Sequence, residues 1–393
     1  MGKRVFLVVI DSCGVGYAPD ANEFFQGDQP DVGCDTFGSC VNGGGLYVPV
    51  LEQLGILDLD GVAYKDAYYE NLKKQGIQQD GPLARIASYA KLQEESRGKD
   101  TTVGHWEITG VASKKPLPTY PNGFPDEVLD AFEQATGRGV LCNKPYSGTT
   151  VLHDYGQEHL DTGALIVYTS ADSVFQIAAH EELVPLEELY DACHKAREIL
   201  VGDHGVGRVI ARPFVGTFPD FKRTENRHDY SMEPPQETVL DQAKAAGFEV
   251  IGVGKIHDIF AGRGLTETYP NHGNAKNMEL TLSLMDRDFT GLCFVNLVDT
   301  DMVYGHRRDV PGYSKALNAV DLQFQQFIDK MKEDDILIIT GDHGCDPGFI
   351  GTDHTREYVP CLIYGDSVEV GKNLGVKPSF AYIADYIREV FDL

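Results

Sequence analysis

Aspartate and histidine recur along this chain in one setting, at the end of a short apolar run and the start of a glycine-rich stretch. Ile336–Thr340 is followed by Gly341, by the adjacent pair Asp342 and His343 and, eleven residues on, by His354. Val5–Ile10 runs into Asp11 and then Ser12-Cys13-Gly14-Val15-Gly16. Leu292–Val298 runs into Asp299-Thr300-Asp301, with His306 five residues further. Carboxylate and imidazole are the side chains that bind first-row divalent metals. Three carboxylates (Asp11, Asp301, Asp342) and three imidazoles (His306, His343, His354) suffice for two metal ions, each with open positions. Two metals about 3.5–4 Å apart suit in-line displacement at phosphorus. Alone, each instance also reads as a polar surface turn or an aspartate capping one; the repetition is what points to a site. No cysteine falls in the cluster, which disfavours structural zinc, and Mn²⁺ and Zn²⁺ both remain open.

Two further stretches bear on phosphate. Thr101 and Thr102 follow the charged loop Glu94–Asp100 and precede a short helix expected over His105–Gly110. A hydroxyl at a helix start is usually a cap. The same geometry, with free N–H groups binding phosphate, would also suit a phosphoryl acceptor. Between Arg208 and Arg227 five basic residues (Arg208, Arg212, Lys222, Arg223, Arg227) face only Asp220 and Glu225. In a chain of net charge −26 that is a local reversal of sign. A solvated charged face is one explanation; a pocket for a phosphate monoester is the better one, because arginine's fork matches phosphate oxygens. Lys255, after the run Val250–Val253, is a second candidate phosphate ligand.

The elements that must position these groups are those of an α/β protein. The apolar runs are continuous, as in strands buried on both faces of a parallel sheet, and Ile86–Leu92, Leu165–Thr169, Arg208–Ala211 and Cys361–Tyr364 are further strands. In such sheets ligands gather at the carboxyl ends of the strands, so the six metal-type side chains can converge on one edge. Helices are expected at Pro49–Gly55, Pro125–Thr136, Leu186–Leu200, Glu237–Ala246, Met278–Met285, Tyr313–Met331 and Ala381–Phe391, from caps and 3.6-residue periodicity. Residues 17–45 read as loop. Residues 113–124, with three prolines and no periodicity, read as a linker into an inserted domain. A chain of 393 residues has room for two domains. The acidic balance argues against nucleic acid or anionic membranes as partners. Eight scattered cysteines without a CxxC pair read as reduced thiols of a cytoplasmic protein. Lys3 and Arg4 before Val5–Ile10 imitate a secretory signal, but six apolar residues are too few, and no run is long enough to span a membrane.

The sequence also resembles the phosphopentomutase family of the alkaline-phosphatase superfamily. The resemblance runs from Val5 into the last helix, on VVIDSCGVGYAPDA at 8–21, GKDTTVGHWEITG at 98–110, YTSADSVFQIAAHEE at 168–182, GRVIARPFVG at 207–216, NRHDY at 226–230, NLVDTDMVYGHRRD at 296–309 and GTDHTREYVP at 351–360. It implies an alkaline-phosphatase-like core with a central, mostly parallel sheet, formed by residues 1–116 and 232–393, and a smaller inserted α/β cap at 117–231. It implies one metal on Asp301, His306 and His354, another on Asp11, Asp342 and His343, and two Mn²⁺ per chain. Thr101 matches the family's phosphorylated threonine. Asp172 matches a position at the sugar, Arg208, Arg223 and Lys255 positions at the distal phosphate, and Ser170 is a further expected substrate-binding residue. The implied reaction interconverts (2-deoxy)ribose 1-phosphate and 5-phosphate through phosphothreonine and a 1,5-bisphosphate, with a sugar bisphosphate as activator and no obligate protein partner. Gly341 departs from an alanine common in the family, and Val103 falls at a varied position. A phosphomonoesterase, a cofactor-independent phosphoglycerate mutase and a sugar-phosphate binding protein without turnover are the rival readings.

Overall fold

The computed structural model describes residues 3–79, 81–170 and 173–393. The chain forms two compact units, Met1–Lys115 with Pro234–Leu393, and Pro116–Glu233.

The first unit is built on an eight-stranded sheet in the order Glu267–Tyr269, Glu249–Val253, Gly291–Leu297, Arg4–Ile10, Asp335–Thr340, Val359–Tyr364, Ser88–Leu92 and Asn373–Lys377. Every strand runs parallel except Val359–Tyr364, which pairs antiparallel with both neighbours. The expected α/β class with a mostly parallel sheet is therefore present. Arg4–Ile10 is buried along its whole length, as are Gly291–Leu297 and Asp335–Thr340. Covered faces on both sides are what a continuous apolar run serves. Register levels the three central strands: Ile10 lies opposite Leu297, and Val9 opposite Thr340. Their next residues therefore leave the sheet at one edge. The opposite edge is fixed by Arg4, whose Nε and Nη2 donate to both oxygens of Asp335 at 2.7 and 2.6 Å in a buried fork.

The second unit has its own sheet, in the order His228–Ser231, Arg208–Val215, Val174–His180, Leu165–Thr169 and Val140–Pro145, with Lys222–Arg223 pairing beside Arg208–Val215. Side chains alternate across it. Leu165 and Val167 join one core with Phe132 and Phe175; Ile166 and Tyr168 join another with Val151 and Phe214.

Several expectations change, the helix expected at Met278–Met285 among them, which spans Asn274–Leu284. The helix expected at His105–Gly110 spans Thr101–Ile108, because Asp100 caps it by accepting from Thr102 N and Val103 N, both at 3.1 Å. Thr101 is thus the first helical residue, not the cap. The stretch 17–45 is not all loop: Thr36–Asn42 is a helix, capped by Asp35 accepting from Gly38 N at 2.8 Å and held by buried Phe37, Cys40 and Val41. Arg208–Ala211 extends to Val215. All eight cysteines are free thiols, and among the described residues no helix is long and apolar enough to cross a membrane.

Candidate metal centre

Asp11 and Asp342 leave the sheet edge on adjacent strands and are fully buried, as is His343. Ser12, in the left-handed backbone region at φ 67°, turns its N–H onto Asp342 Oδ1 at 3.0 Å and so ties the two strand ends together. Gly341 sits under the same turn; a Cβ there would lie 2.6 Å from the carbonyl oxygen of Cys13, so glycine is what this packing takes. His343 Nδ1 lies 3.0 Å from the carbonyl of Gly344. A carbonyl only accepts, so Nδ1 carries the proton and Nε2 keeps its lone pair. That Nε2 lies 3.5 Å from Asp11 Oδ1, 3.3 Å from Asp342 Oδ2 and 3.1 Å from Thr101 Oγ1. Asp11, Asp342 and His343 form one group able to hold a cation, with the Thr101 hydroxyl beside it.

The second group is built on a π-helical turn, Thr300–Gly305, directly after the strand Gly291–Leu297. Its wide i→i+5 bond, His306 N to Asp301 O at 3.3 Å, stacks residue 306 over residue 301. Asp301 Oδ2 is then 3.4 Å from His306 Nε2, and Oδ1 is 3.5 Å from His354 Nε2. His306 Nδ1 donates to the carbonyl of Thr352 at 2.6 Å, which again leaves Nε2 for a cation. Cys345 joins Asp301 and His306 in a further possible donor set, but its Sγ is 3.9 Å from Nδ1, the nitrogen already engaged with Thr352. The two groups adjoin: the rings of His343 and His354 lie 4.1 Å apart, and Asp301, His343 and His354 are themselves within ligating distance of one another.

Buried atoms left without partners show what this cluster takes. Asp11 Oδ1, Asp301 Oδ1 and Asp342 Oδ2 are buried and accept no hydrogen bond. Uncompensated buried carboxylate oxygens are costly, and a cation relieves them. Burial opposes a charged imidazole at His343, yet Asp342, Asp11 and Asp301 outweigh it and raise its pKa well above the ordinary value. The Asp301 carboxylate as acceptor, with Cys345 next to it, raises His306 to about 11 against a smaller opposing effect of burial. Asp301 is held well below the carboxylate range: burial pushes it up, and the facing imidazoles of His306, His354 and His343 more than reverse that. The cluster draws in positive charge, as protons or as divalent cations, and its oxygen and nitrogen donors suit the latter.

The helix carrying Thr101 lies hard against this centre. A Cβ at Gly104 would sit 2.0 Å from the main-chain oxygen of Asp342. The amides expected to be free at the helix start are partly taken, since Asp100 accepts from two of them. Sequence reasoning missed His105 and Asn296, both buried against the candidate ligands Asp11 and Asp342. The i, i+4 spacing of Thr101 and His105 in one helix was the available signal.

Among the proposed substrate groups, Lys255 follows Gly254 at the same edge of the first unit's sheet, at the start of the short helix Ile256–Ile259. In the second unit Ser170, Arg208, Arg212, Arg223 and Arg227 line one cavity of ≈ 330 Å³ with Tyr168 and Gln176. Arg223 crosses Gly148, where a Cβ would lie 2.0 Å from Nη2, and donates to the carbonyl of Gly148 at 3.0 Å. Arg212 is held by Gln176 Oε1 at 3.1 Å. The buried hydroxyl of Tyr168 has no hydrogen-bond partner. Asp172 lies outside the described residues.

Fold and site define a metalloenzyme, and residues 3–393 match the Metalloenzyme superfamily. The chain is 54% identical over 391 residues to the phosphopentomutase of Lachnoclostridium phytofermentans, covering 100% of this chain and 96% of that protein. It is 51% identical over 392 residues to the phosphopentomutase of Carboxydothermus hydrogenoformans, with 100% and 96% covered, and 47% identical over 393 residues to that of Clostridioides difficile, again with 100% and 96% covered. The chain belongs to the phosphopentomutase family, a family of isomerases.

Proposed function

We propose that this protein interconverts ribose 1-phosphate and ribose 5-phosphate, and their 2-deoxy counterparts, with Thr101 carrying the phosphoryl group. The observation that supports it most is the Thr101 hydroxyl, 3.1 Å from His343 Nε2 and beside the buried carboxylates Asp11 and Asp342. Two divalent cations, Mn²⁺ by family resemblance, held by Asp301, His306 and His354 and by Asp11, Asp342 and His343, would supply the charge that activates a hydroxyl and stabilises a phosphoryl group in transit.

Thr101 then works in both directions. Its phosphate passes to the free hydroxyl of the sugar monophosphate, giving a 1,5-bisphosphate, and Thr101 Oγ1 takes back the other phosphoryl group once the sugar has turned. Arg208 and Arg223, with Arg212 beside them, hold the phosphate that is not reacting. Lys255 has the same charge-matching role, and Ser170 and Asp172 orient the sugar. A mutase must keep water from the phosphothreonine and the bisphosphate, the role we assign to the inserted unit as a cap. A sugar bisphosphate primes Thr101, and the setting is cytoplasmic pentose phosphate and nucleoside metabolism.

Thr101→Ala is expected to lower isomerisation on the order of 10⁴-fold or more while leaving Mn²⁺ binding intact. A coupled assay with Mn²⁺ and mass spectrometry of Thr101 check this. Full activity in the variant, or release of inorganic phosphate from ribose 5-phosphate faster than isomerisation by the native enzyme, overturns the reading.

A further inference from the structure

His105 and Asn296 are fully buried polar side chains that neither ligate nor react in the scheme above. Asn296 Nδ2 lies 2.9 Å from Asp11 Oδ2 and 3.3 Å from His105 Nε2. A carboxylate only accepts, so the amide must turn its NH₂ toward Asp11. Its second N–H then points at His105, whose Nε2 accepts and whose proton sits on Nδ1. That Nδ1 donates to the carbonyl of Thr101 at 2.8 Å and lies 3.1 Å from Asp342 Oδ2. A first-turn carbonyl is already served by its own helix, so this side-chain bond is an addition the backbone does not require. Phe294 stacks on the imidazole, with ring centres 5.7 Å apart. A continuous line of contacts thus runs from Asp11 through Asn296 and His105 to the backbone of Thr101, with Asp342 alongside.

We propose that His105 and Asn296 are positioning residues, a buried strut that fixes the spacing between the Thr101 helix and the proposed ligand pair Asp11 and Asp342. The proposal rests on reading Thr101 as the phosphoryl carrier and Asp11, Asp342 and His343 as a cation site. Outer hydrogen bonds of this kind set the orientation of ligands, and their loss typically weakens metal affinity or activity about 10- to 100-fold. The strut adds a specific demand: one side-chain pair must affect both cation affinity and the turnover of Thr101.

The test uses the full-length protein with Mn²⁺ as the probe. His105→Phe keeps a ring against Phe294 and removes both nitrogens; His105→Asn keeps a donor near the Nδ1 position; Asn296→Ser shortens the bridge to Asp11. Calorimetric titration of Mn²⁺ into metal-free protein is expected to show about a 10-fold or greater loss of affinity in His105→Phe. At saturating Mn²⁺, kcat is expected to fall at least 10-fold with KM unchanged, and His105→Asn to recover part of both losses. A lower Tm with native Mn²⁺ affinity and native kcat would mean the pair is only core packing, and overturns the proposal. Should His105→Phe fail to fold, His105→Asn and Asn296→Ser decide: native affinity and kcat in both overturn it, and paired losses support it. If Thr101→Ala proves active, the carrier assignment fails separately, and the Mn²⁺ affinities still decide whether the strut holds the ligand pair.

Discussion

Gly104 shows how one residue type can carry opposite signs. In an exposed helix interior, replacing glycine by alanine stabilises by about 1 kcal/mol. Here the added methyl would lie 2.0 Å from the Asp342 carbonyl oxygen and 2.9 Å from its carbon, both main-chain atoms of a proposed ligand residue. Gly104→Ala is therefore expected to destabilise by about 1–3 kcal/mol and to cut turnover by displacing Thr101 from His343. Urea unfolding and initial rates check this, and a more stable, fully active variant would show that the helix has room. At this scale the sequence was legible where chemistry marks a residue. Aspartates and histidines at strand ends announce themselves. Gly104 and Gly341 do not, because what they supply is the absence of atoms against a neighbour's backbone. Asn296 was hidden for a related reason: it sits inside an apolar strand and reads as part of it.

Among the elements, the strands were the most legible, since burial on both faces leaves an unbroken apolar run that no periodicity argument can miss. The helix Thr101–Ile108 was placed four residues late. Residues Val103 to Ile108 are all buried, so no polar face gives a 3.6-residue period, and its β-branched opening favours a strand or turn. Tertiary contacts also replace local signals at Pro49–Leu54, whose preceding Val48 offers no side-chain cap. Asp321, from the long helix Val310–Lys330, accepts from Val50 N at 3.1 Å and Leu51 N at 2.8 Å instead. Burial pushes its carboxyl up to about 7; the two amide donors pull the other way and Glu52 adds to the rise. A raised folded pKa means that the unfolded chain releases this proton first. Stability from this site should thus fall as pH rises from about 4 towards 7, by up to about 1.4 kcal/mol per pH unit, and level off above. Denaturation of the native protein and of Asp321→Asn at pH 5 and 7.5 checks the sign: the native protein's advantage must shrink at the higher pH. Parallel curves would remove the assignment.

For the whole molecule, the dominant electrostatic fact is an excess of acid, a net −26, with three carboxylate oxygens at the candidate metal centre buried and unpartnered. Metal removal is expected to destabilise the first unit. Restoring Mn²⁺ to about a thousandfold above its Kd should return ~4 kcal/mol, read as a chelator-reversible shift in Tm; an unchanged Tm at Mn²⁺ levels that restore activity would count against the two cation positions. One local irregularity sets the tolerance of this arrangement. Met302 to Gly305 separate Asp301 from His306 by a π-helical turn. Rewinding it as an ordinary α-turn with all its residues kept would leave His306 one position past the residue stacked over Asp301 and swing the imidazole about 100° around the axis, with the flanking strand and long helix unharmed. The segment acts as a gauge block set by its winding: a variant that relaxed the turn could be sound in every layer yet blind to one of the proposed cations.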